Sequence, residues 1–188
     1  NRSVDFGDSK SSKIGSTDFL NLITTETNSQ EGAWYRNQVL GKGNNIYDLI
    51  FPRPNFHGAP PKSFSRHFKT IDWWVMRSDF MDDNKVTLAG KAGKNDDPHH
   101  GHLDIGHFTL FWKGQAFIQD SGRPYYDEVY FDEARWNYPQ ASSAGHNVIM
   151  VNGEQQVSGK LKDQPFNYGI GGKVIEFRTT KEQDYVLM

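Results

Sequence analysis

A chain of 188 residues is long enough for one complete domain and part of another. Its 21 basic and 23 acidic residues leave a formal charge of -2, which excludes the broad basic footprint expected for binding nucleic acid or an anionic membrane surface. Cysteine is absent, so there are no disulfides or thiolate ligands, and any transition-metal site must be built from imidazole and carboxylate. Aromatic residues (13 Phe, 8 Tyr, 5 Trp) and 18 Gly, punctuating short apolar runs, favour strands and turns over long helices. No apolar run approaches the roughly 18 residues that span a bilayer, and the N-terminal region lacks the basic-then-apolar profile of a signal peptide.

Residues Asn1 to Ser12 are polar and read as a loop. Asp18 then precedes Phe19, Leu20, Leu22 and Ile23, and Ser29 precedes Ala33, Trp34, Tyr35, Val39 and Leu40 before Gly41. Both stretches carry helical periodicity with cap and stop signals, which predicts two amphipathic helices of about three turns. Ile46, Leu49 and Ile50 form a third apolar cluster that runs into Pro52-Arg53-Pro54, and the breakers Gly58-Ala59-Pro60-Pro61 make residues 52–62 a linker.

From Phe64 onward the pattern is strand, turn, strand. Strands are expected over Ile71 to Phe80, Val86 to Ala89, Phe108 to Trp112, Ala116 to Gln119, Val148 to Val151, Lys173 to Phe177 and from Tyr185 on. Asn84, Lys113-Gly114 and Asn152-Gly153 supply turns. The fold class is therefore mainly β, an antiparallel β-sandwich over 63–188, preceded over 1–62 by a short helical segment and linker. The chain opens on Asn1 and stops at Met188 just after Tyr185-Val186-Leu187, which reads as an unfinished strand in a piece of a longer protein.

Of seven histidines, four fall within nine residues, in Asp97-Pro98-His99-His100-Gly101-His102-Leu103-Asp104-Ile105-Gly106-His107-Phe108. His100, His102 and Asp104 alternate, so an extended backbone would project all three from one face toward a cation or a substrate. His99 and His107 have the opposite alternation and are set aside as ligands. Asp120 ends the strand Ala116-Phe117-Ile118-Gln119, and His146 heads Val148-Ile149-Met150-Val151, so both sit at the mouths of core strands. Read without further context, an H-x-H is a solvated loop, Asp120 a turn residue and His146 a strand-edge residue. Together they form a His/His/Asp set of the kind zinc prefers.

His100-Gly101-His102-Leu103-Asp104-Ile105-Gly106-His107-Phe108, Asp120-Ser121-Gly122 with Tyr125-Tyr126 behind it, and His146-Asn147-Val148 followed by Val151-Asn152-Gly153 together resemble the C-terminal domain of the heparinase II/III-like lyases. Trp74-Val75-Met76-Arg77-Ser78 fits the strand that opens that domain, so the resemblance runs from about Phe68 to Gly153. The resemblance implies a supersandwich-type β domain and β-elimination on a uronic-acid polysaccharide such as heparan sulfate, alginate, chondroitin or hyaluronan. It implies a structural zinc on His102, Asp120 and His146, with His100 facing the substrate as a catalytic group. It also implies an N-terminal (α/α) toroid in the same protein that carries the remaining catalytic residues. Asp18 to Gly41 would be that toroid's last helix pair, packed on its neighbours through exposed Trp34 and Tyr35. A periplasmic or secreted setting and a homodimer are further expectations.

Tyr126 is the nearest candidate for lining the catalytic site, and Asp104 or Asn147 for orienting the imidazoles. Asp104 is also an alternative carboxylate ligand, ranked below Asp120 on the family pattern alone. Lys91, Lys94, Arg123 and Arg135 flank these motifs, and Arg123 and Arg135 are the candidates for meeting an acidic sugar, because a guanidinium binds carboxylate or sulfate as a fork. Two other readings compete. A non-catalytic carbohydrate-binding sandwich gives no reason for His100 beside a metal ligand, and a cupin-like metalloenzyme would need a glutamate soon after the H-x-H, where Ile105 to Gln119 holds none.

Overall fold

Ser29 stands in extended backbone and accepts from the Gly32 amide, an N-cap that starts α2 (Gln30–Trp34). In the computed structural model, which describes residue 6 and residues 18–40, 46–82, 84–95, 100–158 and 170–188, α2 follows α1 (Asp18–Glu26) and widens into a π turn over Tyr35–Val39. The rest of the expected N-terminal loop, and Gly41 and His99, lie outside the described residues.

At the π turn Arg36 is fully buried: its Nε donates to Asn21 Oδ1 at 2.9 Å and its Nη2 meets Asp48 Oδ1 at 3.3 Å. Asn21 also donates to Asp48 and to the Phe51 carbonyl, so one polar knot joins α1, the π turn and α3 (Tyr47–Ile50). Trp34 and Tyr35 are half-buried rather than exposed, and Trp34 stacks on Phe64 with centroids 6.2 Å apart. The exposed apolar side chains of this region are instead Phe19, Ile23, Ile46, Leu49 and Ile50. The described residues up to Phe64, Phe6 excepted, make up one compact unit, and Phe6 with the described residues from Ser65 onward makes up a second. No described helix is long and apolar enough to cross a membrane.

The second unit is built of antiparallel β-structure. Five strands, β1 (Arg66–Phe68), β2 (Trp73–Arg77), β3 (Thr87–Lys91), β5 (Phe108–Trp112) and β6 (Gln115–Ile118), form one sheet in the order β1-β2-β3-β5-β6. Two smaller pairs are β4 (Gly93–Lys94) with β7 (Gly171–Gly172) and β8 (Glu176–Thr179) with β9 (Asp184–Leu187). The pairing of Met76 with Leu88 and of Leu88 with Leu110 puts one face of each strand in line. Trp74, Met76, Ala92 and Val174 are buried there, with Leu88, Phe108, Phe177 and Val186 packed against them. The β8–β9 hairpin thus supplies a second layer over the large sheet, which is the two-layer arrangement of a sandwich.

Three local expectations are not met. Ile71 and Asp72 belong to the β1–β2 turn, where Asp72 has φ 53°, so the strand starts at Trp73. Val148 to Val151 is not a strand; its described backbone shows only the bridge Val151–Glu154 across Asn152-Gly153, whose φ values of 55° and 76° match a two-residue hairpin turn. The apolar run at Lys173 extends as strand only from Glu176.

Candidate metal and substrate site

Residues 100–107 run between β4 and β5 without joining a strand. Their backbone groups are taken up by partners from elsewhere, as buried amides and carbonyls require. Arg135 Nη2 donates to Gly101 O at 2.8 Å, Leu103 N to Ala141 O at 2.9 Å and Ser143 Oγ to Leu103 O at 2.8 Å. The Gln156 amide brackets Ile105, accepting from its N–H at 2.9 Å and donating to its carbonyl at 2.7 Å. Gly106 N donates to Lys91 O at 2.8 Å, which closes the turn into β5. Strand alternation therefore does not govern the segment: His102, Asp104 and His107 are buried, while His100 is exposed.

The buried side chains converge. His146 Nδ1 lies 2.9 Å from Asp120 Oδ2, and His107 Nε2 lies 3.0 Å from the same oxygen. The His102 and His107 rings stand 5.1 and 5.3 Å from that of His146. Ligating atoms of His102, Asp104 and His146 lie within 4.8 Å of one another, and so do those of His107, Asp120 and His146. Two ligands each about 2.0–2.2 Å from a tetrahedral zinc sit roughly 3.4 Å apart, so this is a spacing from which such an ion can be enclosed.

Hydrogen bonding distinguishes the members. Asn147 N donates to His107 Nδ1 at 3.0 Å, which occupies the lone pair of a neutral imidazole and places its proton on Nε2, a nitrogen that lies 3.0 Å from Asp120 Oδ2 without making a hydrogen bond. His107 is thereby an orienting neighbour of Asp120, a role the alternation argument did not assign. Burial holds the His107 imidazole below its ordinary pKa, with the Asp120 charge opposing that shift, and so favours the neutral ring. Asp104 is engaged by a cation, Lys91 Nζ, at 2.6 Å with both groups buried. Asp120 has its Oδ1 bonded to Gly122 N and its Oδ2 facing two imidazoles.

Asp104 Oδ2 and His146 Nε2 are buried without a hydrogen-bond partner among the described residues. Orphaned acceptors of this kind, in a set of nitrogen and carboxylate donors, fit a divalent cation of zinc's preference.

The outer side of the loop is aromatic. The His100 ring lies 6.5 Å from Tyr126 and 6.0 Å from Phe131. Arg123 rests over the Tyr126 ring at 4.4 Å and, with Pro124, Tyr125 and Tyr126, lines a cavity of about 460 Å³. His100, Tyr126 and Arg123 are thus brought to one place. Arg135 is not with them: contrary to the expected substrate-binding role, its guanidinium is buried between Tyr130 and Trp136 and holds the Gly101 carbonyl. Lys91 is likewise taken up internally by Asp104. Tyr130, fully buried with its hydroxyl 3.2 Å from His102 Nε2, is a site residue that its place in an irregular loop concealed.

The approach of His146 depends on Gly145, where a Cβ would stand 1.9 Å from the Pro139 carbonyl oxygen. Gly145→Ala is expected to destabilise the fold by about 1–3 kcal/mol, read in chemical denaturation. The Tyr138 hydroxyl donates to both Asp127 oxygens, at 2.7 and 2.6 Å, and this bond lowers the Asp127 pKa below the ordinary carboxylate value of 3.8 and raises that of Tyr138. A depressed folded-state carboxylate contributes stability above its unfolded value that is lost as pH falls through that region. Tyr138→Phe should bring the Asp127 titration, followed by NMR, back up toward the ordinary value and flatten the acid limb of the stability curve. An unmoved titration would contradict the assigned cause.

Residues 60–185, which contain every member of this cluster, match the family described as "Heparinase II/III-like, C-terminal". The chain belongs to this heparinase II/III-like family. Among solved structures it is similar to heparinase III, at 17% identity and a TM-score of 0.61, covering 94% of this chain and 25% of that one. It is also similar to a mutant of the heparan sulfate lyase HepC from Pedobacter heparinus, at 19% identity and a TM-score of 0.57, covering 98% and 24% of the two chains. The chain spans about a quarter of the length of these structures, and at such identities the likeness bears on the fold. No curated protein matches it in sequence.

Proposed function

We propose that this chain is the C-terminal part of a polysaccharide lyase that cleaves a uronic-acid-containing polymer by β-elimination. The substrate would be of the heparin or heparan sulfate, alginate, chondroitin or hyaluronan type. The supporting observation is the division of labour along one clamped loop, with His102 buried in a His/Asp cluster and His100, two residues away, exposed beside Tyr126 and Arg123.

Elimination needs the proton on the carbon next to the uronate carboxyl to be removed while the glycosidic oxygen on the neighbouring carbon departs with a proton, leaving a carbon–carbon double bond. Arg123, its plane held against Tyr126, would neutralise the carboxylate and so acidify that carbon. His100 would hold or deliver a proton at an imidazole nitrogen, and Tyr126 would line the same pocket as a second proton-transfer candidate. Zinc, on His102, Asp120 and His146, would supply a fixed cation that pins the loop, with His107 and Asp104 orienting its surroundings. The other catalytic groups would come from an N-terminal helical toroid, of which α1 to α3 would be the end. The exposed Phe19, Ile23 and Leu49 would pack against its preceding helices. A periplasmic or secreted location and a homodimer belong to the same reading.

Incubating the intact protein with a panel of acidic and neutral polysaccharides tests this. The unsaturated-uronate chromophore should appear with at least one acidic polymer, and its absence from all of them would count against the reading.

A further inference from the structure

Three fully buried polar side chains stand in a row behind the H-x-H loop: Arg135, Tyr130 and His102. Arg135 Nη2 donates to the Tyr130 hydroxyl at 3.2 Å, and that hydroxyl lies 3.2 Å from His102 Nε2. The same Arg135 nitrogen donates to the Gly101 carbonyl at 2.8 Å, in the residue between His100 and His102. The guanidinium is fixed by lying 4.7 Å over the Tyr130 ring and 4.9 Å over Trp136. Tyr130 in turn stacks on Tyr126, at 5.0 Å and 26°.

We infer that Tyr130, set in place by Arg135, is a positioning residue that engages His102 at Nε2 and so turns Nδ1 toward the metal; this rests on the zinc reading above. A ligating imidazole keeps its proton on the nitrogen away from the ion and gives it to an acceptor. The Tyr130 oxygen has two acceptor positions. Arg135, a donor only, engages that oxygen from one side, and with zinc on Nδ1 the His102 Nε2–H would donate to it from the other. Because Arg135 also grips Gly101, the same group that orients the ligand sets the step to His100, and the Tyr130–Tyr126 stack extends it to the substrate-facing aromatic.

Long-range nitrogen NMR on the zinc-loaded wild-type chain should find His102 protonated at Nε2 and bound through Nδ1; metal bound through Nε2 overturns the inference without any variant. Tyr130→Phe keeps the ring and its stacking and removes only the oxygen. Its zinc affinity, measured by competition with a chromophoric chelator, should fall about 10–100-fold, and its cobalt-substituted spectrum should shift. Unchanged zinc affinity in Tyr130→Phe overturns the inference alone. A wild-type chain that takes up no zinc overturns it together with the metal reading.

Discussion

His100→Ala in the intact protein is expected to lower the elimination rate by roughly two to four orders of magnitude, the usual contribution of a positioned general acid or base. The same variant should keep its zinc and its melting temperature. The imidazole is exposed and its ring contacts are with Tyr126 and Phe131 on the outer side of the loop. The bonds that hold this loop go instead to the backbone of Gly101, Leu103 and Ile105. Removing His100 thus takes away a proton carrier without releasing the loop that presents it. Unchanged activity combined with lost zinc would reverse the assignment and make His100 a ligand.

His102→Ala and His146→Ala should behave in the opposite way, losing metal and stability together. His146 is the common member of both groups of converging ligand atoms, and its Nδ1 meets Asp120 at 2.9 Å. Without it, the Asp120 carboxylate keeps only His107 and the Gly122 amide as close partners among the described contacts. A buried carboxylate left poorly paired and a lost metal are both among the mechanisms behind the largest single-substitution effects, about 4–5 kcal/mol. For a chain of this size that corresponds to a fall in melting temperature of roughly 10 °C or more. Metal content measured alongside the melt separates this outcome from a packing defect, in which stability falls while zinc is retained.

Much of this arrangement could be read from residue order. The strand through Trp74 and Met76, the turns at Lys113-Gly114 and Asn152-Gly153 and the Ser29 cap are local signals, and each reappears in the fold. That His146 meets both the His102 ring and Asp120 has no local signal, since the three lie on separate segments; the converging sets are His102, Asp104 and His146, and His107, Asp120 and His146. Alternation misplaced His107 because it presumes an extended chain, whereas residues 100–107 are shaped by tertiary hydrogen bonds from Arg135, Ser143 and Gln156. Arg135 reads as a cation for an acidic sugar because sequence does not reveal that Tyr130 and Trp136 close around it. Tyr130 carries no motif, and its proximity to His102 arises from a loop that returns 28 residues later.

The buried His/Asp cluster is either a metal centre or a polar core that binds nothing. Elemental analysis of protein purified without chelators decides this most directly. One zinc per chain, tightly held and lost with His102 or His146, is the predicted result. A fully folded chain that carries no metal and gains no stability when zinc is added would contradict it.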